Sequence, residues 1–184
     1  AGENHFMTKR FDRTQGKKVH MQSLGAMAHI SYKEPGLCSY EMAAGYMREI
    51  HLPIKDIEQF YSRMVFNCVA VNQDDHVKNI SFLMNRSGEW RLSPAYDVTY
   101  SYDVTNKWLS AHQMTINGKK SNINLTDLLS AGENMGLKKK KCKDIISRIS
   151  LVVSDFEKYA EEVNIREKTF CDIKKILDQN KVEV

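Results

Sequence analysis

Apolar residues recur at three- and four-residue intervals through LPIKDIEQFYSRMVFNCVAVN, where Ile57, Phe60, Met64, Cys68 and Val71 form one stripe. That period predicts a long amphipathic helix whose buried face runs into a polar knot at residues 72–79. Upstream, PGLCSYEMAAGYMREI offers Ser39 as a helix cap, with Tyr40, Ala44 and Met47 along one face behind it. Another helix is expected from about Leu24, after the KVHMQSL segment, and HFMTKRF alternates like a strand that needs a sheet beside it. Downstream, ISFLM (Ile80 to Met84) and EWRLS (Glu89 to Ser93) flank NRSG, a hairpin signal, and Pro94 closes the second strand.

Between Ala95 and Asn124 the period breaks down, and about 30 residues without regular structure is long for a compact domain, so this stretch reads as a functional loop. The echo YDVT at 96–99 and 102–105 is too short to signal a repeat architecture. Helix then returns. LTDLLSAGENMGL has Thr126 as a candidate cap, KDIISRISLVVSDFEKYAEEV is amphipathic through Ile145, Ile149, Val152 and Phe156, and a last helix is expected from Ile165 to about Asn180. The fold class is α+β, mainly helical, with one small β-hairpin.

Composition narrows this only a little. A chain of 184 residues, 42% hydrophobic and 27% charged, can bury one core. No apolar run approaches the roughly 20 residues that span a bilayer. Cys38, Cys68, Cys142 and Cys171 form no CxxC pair. They read as free thiols in a reducing compartment, which predicts a cytoplasmic protein. The net charge of +4 is partly concentrated in KKKKCKD, Lys138 to Asp144. No aromatic residue interleaves there to stack bases, so a solvated helix start is expected and direct nucleic-acid binding is not.

The chemistry concentrates in VNQDDHVKNISFL, Val71 to Leu83. By composition alone the knot could be an ordinary turn with side chains capping the backbone. The hairpin sets a second reading beside that one. Antiparallel partners joined by a short turn bring their outer ends together, so Asn79, before one strand, should neighbour Asp97, after the other. Two oxygen donors there suit magnesium, which keeps waters and leans on phosphate oxygens. No HExxH or multi-histidine spacing supports zinc. Phosphoryl transfer needs a base aspartate with metal-holding Asn and Asp. Kinases place the base five positions before the Asn, which Asp74 satisfies and Asp75 does not. Asp75 is left to fix the loop. Lys78 could neutralise the transferred phosphoryl group, and His76 could orient an acid or pack. Asp103 is a loop acid created by the echo.

FDR at 11–13, NQDDHVKNISFLM at 72–84, WRLSPAYDVTYS at 90–101 and HQMTINGK at 112–119 together resemble the C-terminal region of HipA-family toxin serine/threonine kinases. The resemblance implies a protein-kinase-like C-terminal lobe whose hairpin carries the site. It implies ATP and Mg2+ as cofactors, Asp74 as the catalytic aspartate, and Asn79 and Asp97 as metal-associated residues. It makes the stretch after Asp97 an activation segment. The family phosphorylates serine or threonine on a protein, with an aminoacyl-tRNA synthetase for glutamate as the target of its best-studied type. It pairs with a DNA-binding antitoxin.

Family members also carry an N-terminal lobe, with a lysine on the nucleotide phosphates and an autophosphorylated serine in a mobile loop. Neither can be placed here. Residues 1–19 then read as the remaining edge and hinge of that lobe, and 20–184 as the C-terminal lobe. The edge around Phe6 to Arg10 puts Lys9 and Arg10 toward the nucleotide. Two functions follow: the catalytic lobe of a kinase, inactive or nearly so alone, or a non-catalytic module that binds antitoxin or target protein.

Overall fold

The stripe of Ile57, Phe60, Met64 and Cys68 sets the centre of the molecule, seen in a computed structural model that describes residues 7–182. Along the chain come β1 (Arg13–Thr14), β2 (Lys17–Lys18), β3 (His20–Ser23), α1 (Leu24–Met27), α2 (Tyr40–Glu49) and α3 (Ile54–Val69). β4 (Ser81–Met84) and β5 (Trp90–Leu92) follow, then α4 (Leu125–Asn134), α5 (Lys139–Ser154), α6 (Phe156–Glu162) and α7 (Glu167–Gln179). This is a mixed α/β fold. No helix among the described residues is long and apolar enough to cross a membrane.

Helix α3 lies against α2 and α5, and α4 closes on both α2 and α5. Phe60, Tyr61, Met64 and Val65 of α3 are buried with Ala44 and Met47 of α2, Leu128 and Ala131 of α4, and Ile146 of α5. Each large apolar side chain taken fully from water contributes about 1.5–3 kcal/mol, so this four-helix contact dominates the fold's stability. Close approach is bought at Gly132, where an added Cβ would lie 2.8 Å from the Tyr61 ring.

The predicted hairpin forms, with Phe82 opposite Leu92 and Met84 opposite Trp90. Its turn is held by Asn85, whose Oδ1 accepts the Ser87 and Glu89 amides, both at 2.9 Å. Ser39 caps α2 as expected, its hydroxyl accepting the Met42 amide at 3.0 Å. Between β5 and α4 no helix or strand forms. The lysine run is the solvated start of α5, with Lys138 to Lys141 all exposed.

Five expectations need correction. KVHMQSL supplies β3, which pairs with β4 from His20↔Met84 to Ser23↔Ser81, so the hairpin belongs to a three-stranded sheet. The helix from Leu24 is a single turn. Residues 7–10 of HFMTKRF form no strand, because no neighbouring strand offers them a ladder; His5 and Phe6 lie outside the described residues. Asn124, not Thr126, caps α4, in a reciprocal box with Asp127 that satisfies two end amides. The helix expected through Val152 and Phe156 breaks at Asp155 into α5 and α6. Ile145 and Ile149 are buried, but Val152 is 43% exposed, while Phe156 stacks on Phe170 of α7 at 5.7 Å.

Candidate active site

The buried stripe of α3 ends at Val71, and the chain turns there into the knot. Val71 adopts φ +55° and Asp97 φ +53°, a left-handed backbone that costs non-glycine residues of order 1–3 kcal/mol. Both are over-determined by their surroundings. The Asn72 amide donates to Asn67 O at 2.9 Å, and the knot bridges to the segment after Asp97 through Gln73 N–H to Ser101 O at 3.0 Å and Ser101 N–H to Val71 O at 3.1 Å. On the other strand, Arg63 of α3 donates to Ser93 O at 2.5 Å, and the Tyr96 hydroxyl donates to Lys78 O at 2.6 Å and meets Ser81 Oγ. Knot and strand end are thus bolted to one helix and one sheet.

That frame brings two of the expected residues to one cleft, and Asp74 meets one of them through its backbone carbonyl. Asn79 and Asp97 line one small cleft with Tyr40, Arg63, Asn67 and Asp75. Asn79 Nδ2 donates to the Asp74 carbonyl at 2.9 Å, which leaves Oδ1, the atom of that amide able to ligate a cation, outside this bond. The Asp74 carboxylate is 40% exposed, with His76 Nε2 3.7 Å away, too far for a hydrogen bond but within charge attraction if the ring is protonated. Among the described residues no three His, Cys, Asp or Glu side chains cluster as a metal cage. An Asn–Asp pair completed by waters and phosphate oxygens is the arrangement magnesium takes.

Asp75 borders the same cleft, but its carboxylate is taken up in the core. Its side chain is fully enclosed and accepts the Tyr40 hydroxyl at 2.8 Å, His112 Nδ1 at 2.9 Å and the Gln113 amide at 2.7 Å. Burial pushes the His112 imidazolium down, but the charge and hydrogen bond of Asp75, together with Cys68, outweigh it and hold it well above the ordinary histidine range. Cys68, His112 and Asp75 have the membership of a nucleophilic triad. All three are under 5% exposed, so the thiol has no access to a substrate. The grouping is structural.

Comparison with known proteins places the chain in a family. The profile of the HipA-like C-terminal domain matches residues 1–156. The chain belongs to the HipA-like C-terminal domain family. A Sinorhizobium fredii protein named "Putative kinase Y4dM" is 33% identical over 105 residues, 53% of this chain and 25% of the relative. A Haemophilus influenzae protein named "Putative kinase" is 29% identical over 171 residues, 76% of this chain and 49% of the relative. A solved structure of the Shewanella oneidensis toxin–antitoxin system, HipA with HipB and operator DNA, matches with a TM-score of 0.69 at 18% identity. That match covers 95% of this chain and 46% of the other, and shows a shared fold. The chain therefore spans half or less of each of these proteins.

In this HipA-like domain, Lys78 lines a second, open cleft with Asp12, Arg13, His20, Ser81 and Tyr96. Its ammonium lies 4.3 Å from the centre of the Tyr32 ring, which meets the His76 ring edge-on at 5.7 Å. Lys9 and Arg10 are exposed and are not among the residues lining that cleft. Arg10 forks onto Asp12 at 2.8 and 2.6 Å, and that hydrogen bonding takes the Asp12 carboxyl down to about 2.

Sequence reasoning missed Tyr32, because nothing near it in the chain marks it. It also missed Gly25, whose amide donates to Val77 O at 3.1 Å; a Cβ there would lie 2.9 Å from Val77 Cγ2. His112 could have been weighed more heavily, since HQMTINGK was already marked as part of the family pattern.

Proposed function

We propose that this chain is the catalytic C-terminal lobe of an ATP-dependent serine/threonine protein kinase of the HipA toxin type. The observation that carries the reading is that Asn79 shares one cleft with Asp97 while its side-chain amide donates to the Asp74 carbonyl. Asp74, partly exposed, accepts the proton of the attacking hydroxyl. Asn79 and Asp97 hold magnesium, which when bound neutralises charge on the nucleotide phosphates. Lys78, which borders the open cleft, balances negative charge on the transferred group, and His76 orients Asp74. Lys9 and Arg10 approach the nucleotide once Arg10 leaves Asp12.

The lobe holds one side of the site. Efficient transfer needs phosphate contacts preorganised from both sides. An N-terminal lobe is therefore a required partner, residues 1–19 are its edge and hinge, and 20–184 fold as the C-terminal lobe. The Shewanella oneidensis complex of HipA with HipB and operator DNA supports a DNA-binding antitoxin as a further partner, and the family resemblance a protein substrate such as an aminoacyl-tRNA synthetase in the cytoplasm.

The test is transfer of labelled γ-phosphate to a protein substrate by the chain with and without the N-terminal lobe. The chain alone is expected to transfer almost nothing, and the assembly to transfer phosphate in a magnesium-dependent way. Asp74→Asn should lower the assembly's rate by about 100-fold or more. Robust transfer by the 184-residue chain alone overturns the divided site. Full activity of Asp74→Asn overturns the role of the base.

A further inference from the structure

Consecutive acids in one loop normally repel each other and compete for the same solvent. Here the Asp75 side chain is fully enclosed while the Asp74 carboxylate is 40% exposed, and the difference has a visible cause. Asp75 takes its three donors from two separate parts of the chain: Tyr40 at the start of α2, and His112 with the adjoining Gln113 backbone. Each donor is itself held. Asn67 Nδ2 donates to the Tyr40 hydroxyl at 2.9 Å, and Asn72 Nδ2 donates to Asn67 Oδ1 at 3.0 Å, tying α3 and the knot's first residue into the same chain of bonds. The Tyr40 amide donates to Thr115 O and the Thr115 amide to Cys38 O, both at 3.0 Å, so the segment bearing His112 is laced to the start of α2. Turning Asp75 outward would leave a buried hydroxyl, imidazolium and amide unpaired while setting two carboxylates side by side.

We propose that Tyr40 and His112 are positioning residues for phosphoryl transfer: by holding the Asp75 carboxylate in the core they fix the adjoining Asp74, whose carbonyl in turn holds the Asn79 amide at the cleft. The linkage runs over covalent neighbours and one 2.9 Å bond, Asn79 Nδ2 to Asp74 O, so a shift at Asp75 reaches base and metal ligand together. Neither Tyr40 nor His112 touches the reacting atoms. Their effect is on rate, because a misplacement of about 1 Å in such a site lowers the rate by about 100-fold.

This inference rests on the kinase reading above, and its test separates the two. The proteins are the transfer-competent assembly carrying Asp74→Asn, Asp75→Asn or Tyr40→Phe. Tyr40→Phe keeps the ring that packs 5.4 Å from Phe60 and deletes only the hydroxyl. Expected are kcat losses of about 100-fold for Asp75→Asn and about tenfold for Tyr40→Phe, with KM for the nucleotide within about twofold of the parent. In the chain itself, nitrogen NMR of His112 should show a doubly protonated ring that persists to higher pH than in Asp75→Asn.

An unchanged kcat in folded Tyr40→Phe overturns the inference while leaving Asp74 as base. So does a loss that falls equally on kcat and nucleotide affinity, the mark of general loosening. If Asp75→Asn fails to fold, Tyr40→Phe decides. Unimpaired transfer by Asp74→Asn sinks the kinase reading and this inference with it.

Discussion

Replacing Asp56 tests how the hairpin is aimed at the site. Asp56 lies in the first turn of α3 and is 8% exposed. Its Oδ2 accepts the Leu92 amide and Arg91 Nε, each at 2.9 Å, and its Oδ1 takes Arg91 Nη2 at 3.2 Å. Leu92 ends β5 just before Ser93, which Arg63 of the same helix also grips. Helix α3 therefore holds the strand end that delivers Asp97.

In Asp56→Ala the Leu92 amide loses its partner, which costs about 1–3 kcal/mol in a partly buried place. Loss of an acid from the helix's first turn adds about 0.3–1 kcal/mol. The Arg91 side chain is 62% exposed, and its half of the bond contributes little. The expected destabilisation is about 1.5–4 kcal/mol, read from urea midpoints at constant m-value. Asp56→Asn should recover most of it, since the amide oxygen still accepts from Leu92, and Arg91→Ala should stay close to the parent. If Arg91→Ala cost as much as Asp56→Ala, the surface ion pair rather than the backbone cap would hold the strand, and the reasoning would be refuted.

Two further outcomes are expected beside those already given for Asp74, Asp75 and Tyr40. His112 has a folded-state pKa raised above the unfolded value of about 6.5, so its pairing with Asp75 stabilises fully below that pH. The stabilisation is lost as pH rises through the folded value, with a slope of up to about 1.4 kcal/mol per pH unit. Urea midpoints between pH 6 and 9 should fall in the parent and flatten in Asp75→Asn; parallel curves would contradict the pairing. Gly132→Ala would press a methyl 2.8 Å from the Tyr61 ring and against the Cys142 sulfur, an overpacking worth about 1–3 kcal/mol. A thermal midpoint equal to the parent's would show that Tyr61 yields without losing its 3.0 Å bond to Leu128 O.

The periodic parts of the chain were legible because their pattern is local. The α3 stripe, the Ser39 cap and the hairpin follow from period and turn residues, and each appears where expected. Apart from the Asn124 cap, these errors fell where a distant partner decides. His20–Ser23 became a strand because β4 offered it a ladder, whereas residues 7–10, with the alternation of a strand, met none. The helix expected through Phe156 broke at Asp155 because Phe156 stacks on Phe170, which lies far along the chain.

The same division runs through the site. Spacing alone separated Asp74 from Asp75, and hairpin geometry alone predicted that Asn79 and Asp97 would neighbour each other, since both depend on short-range chain geometry. Which way each acid points was a matter for the tertiary structure. Asp75 is enclosed by Tyr40, His112 and Gln113, brought together by α2, the knot and the irregular segment, and no local pattern records that meeting. Residue type and interval determine which chemistry is possible. Burial and long-range hydrogen bonds decide which of two adjacent carboxylates stays within reach of solvent, because only packing removes a group from water.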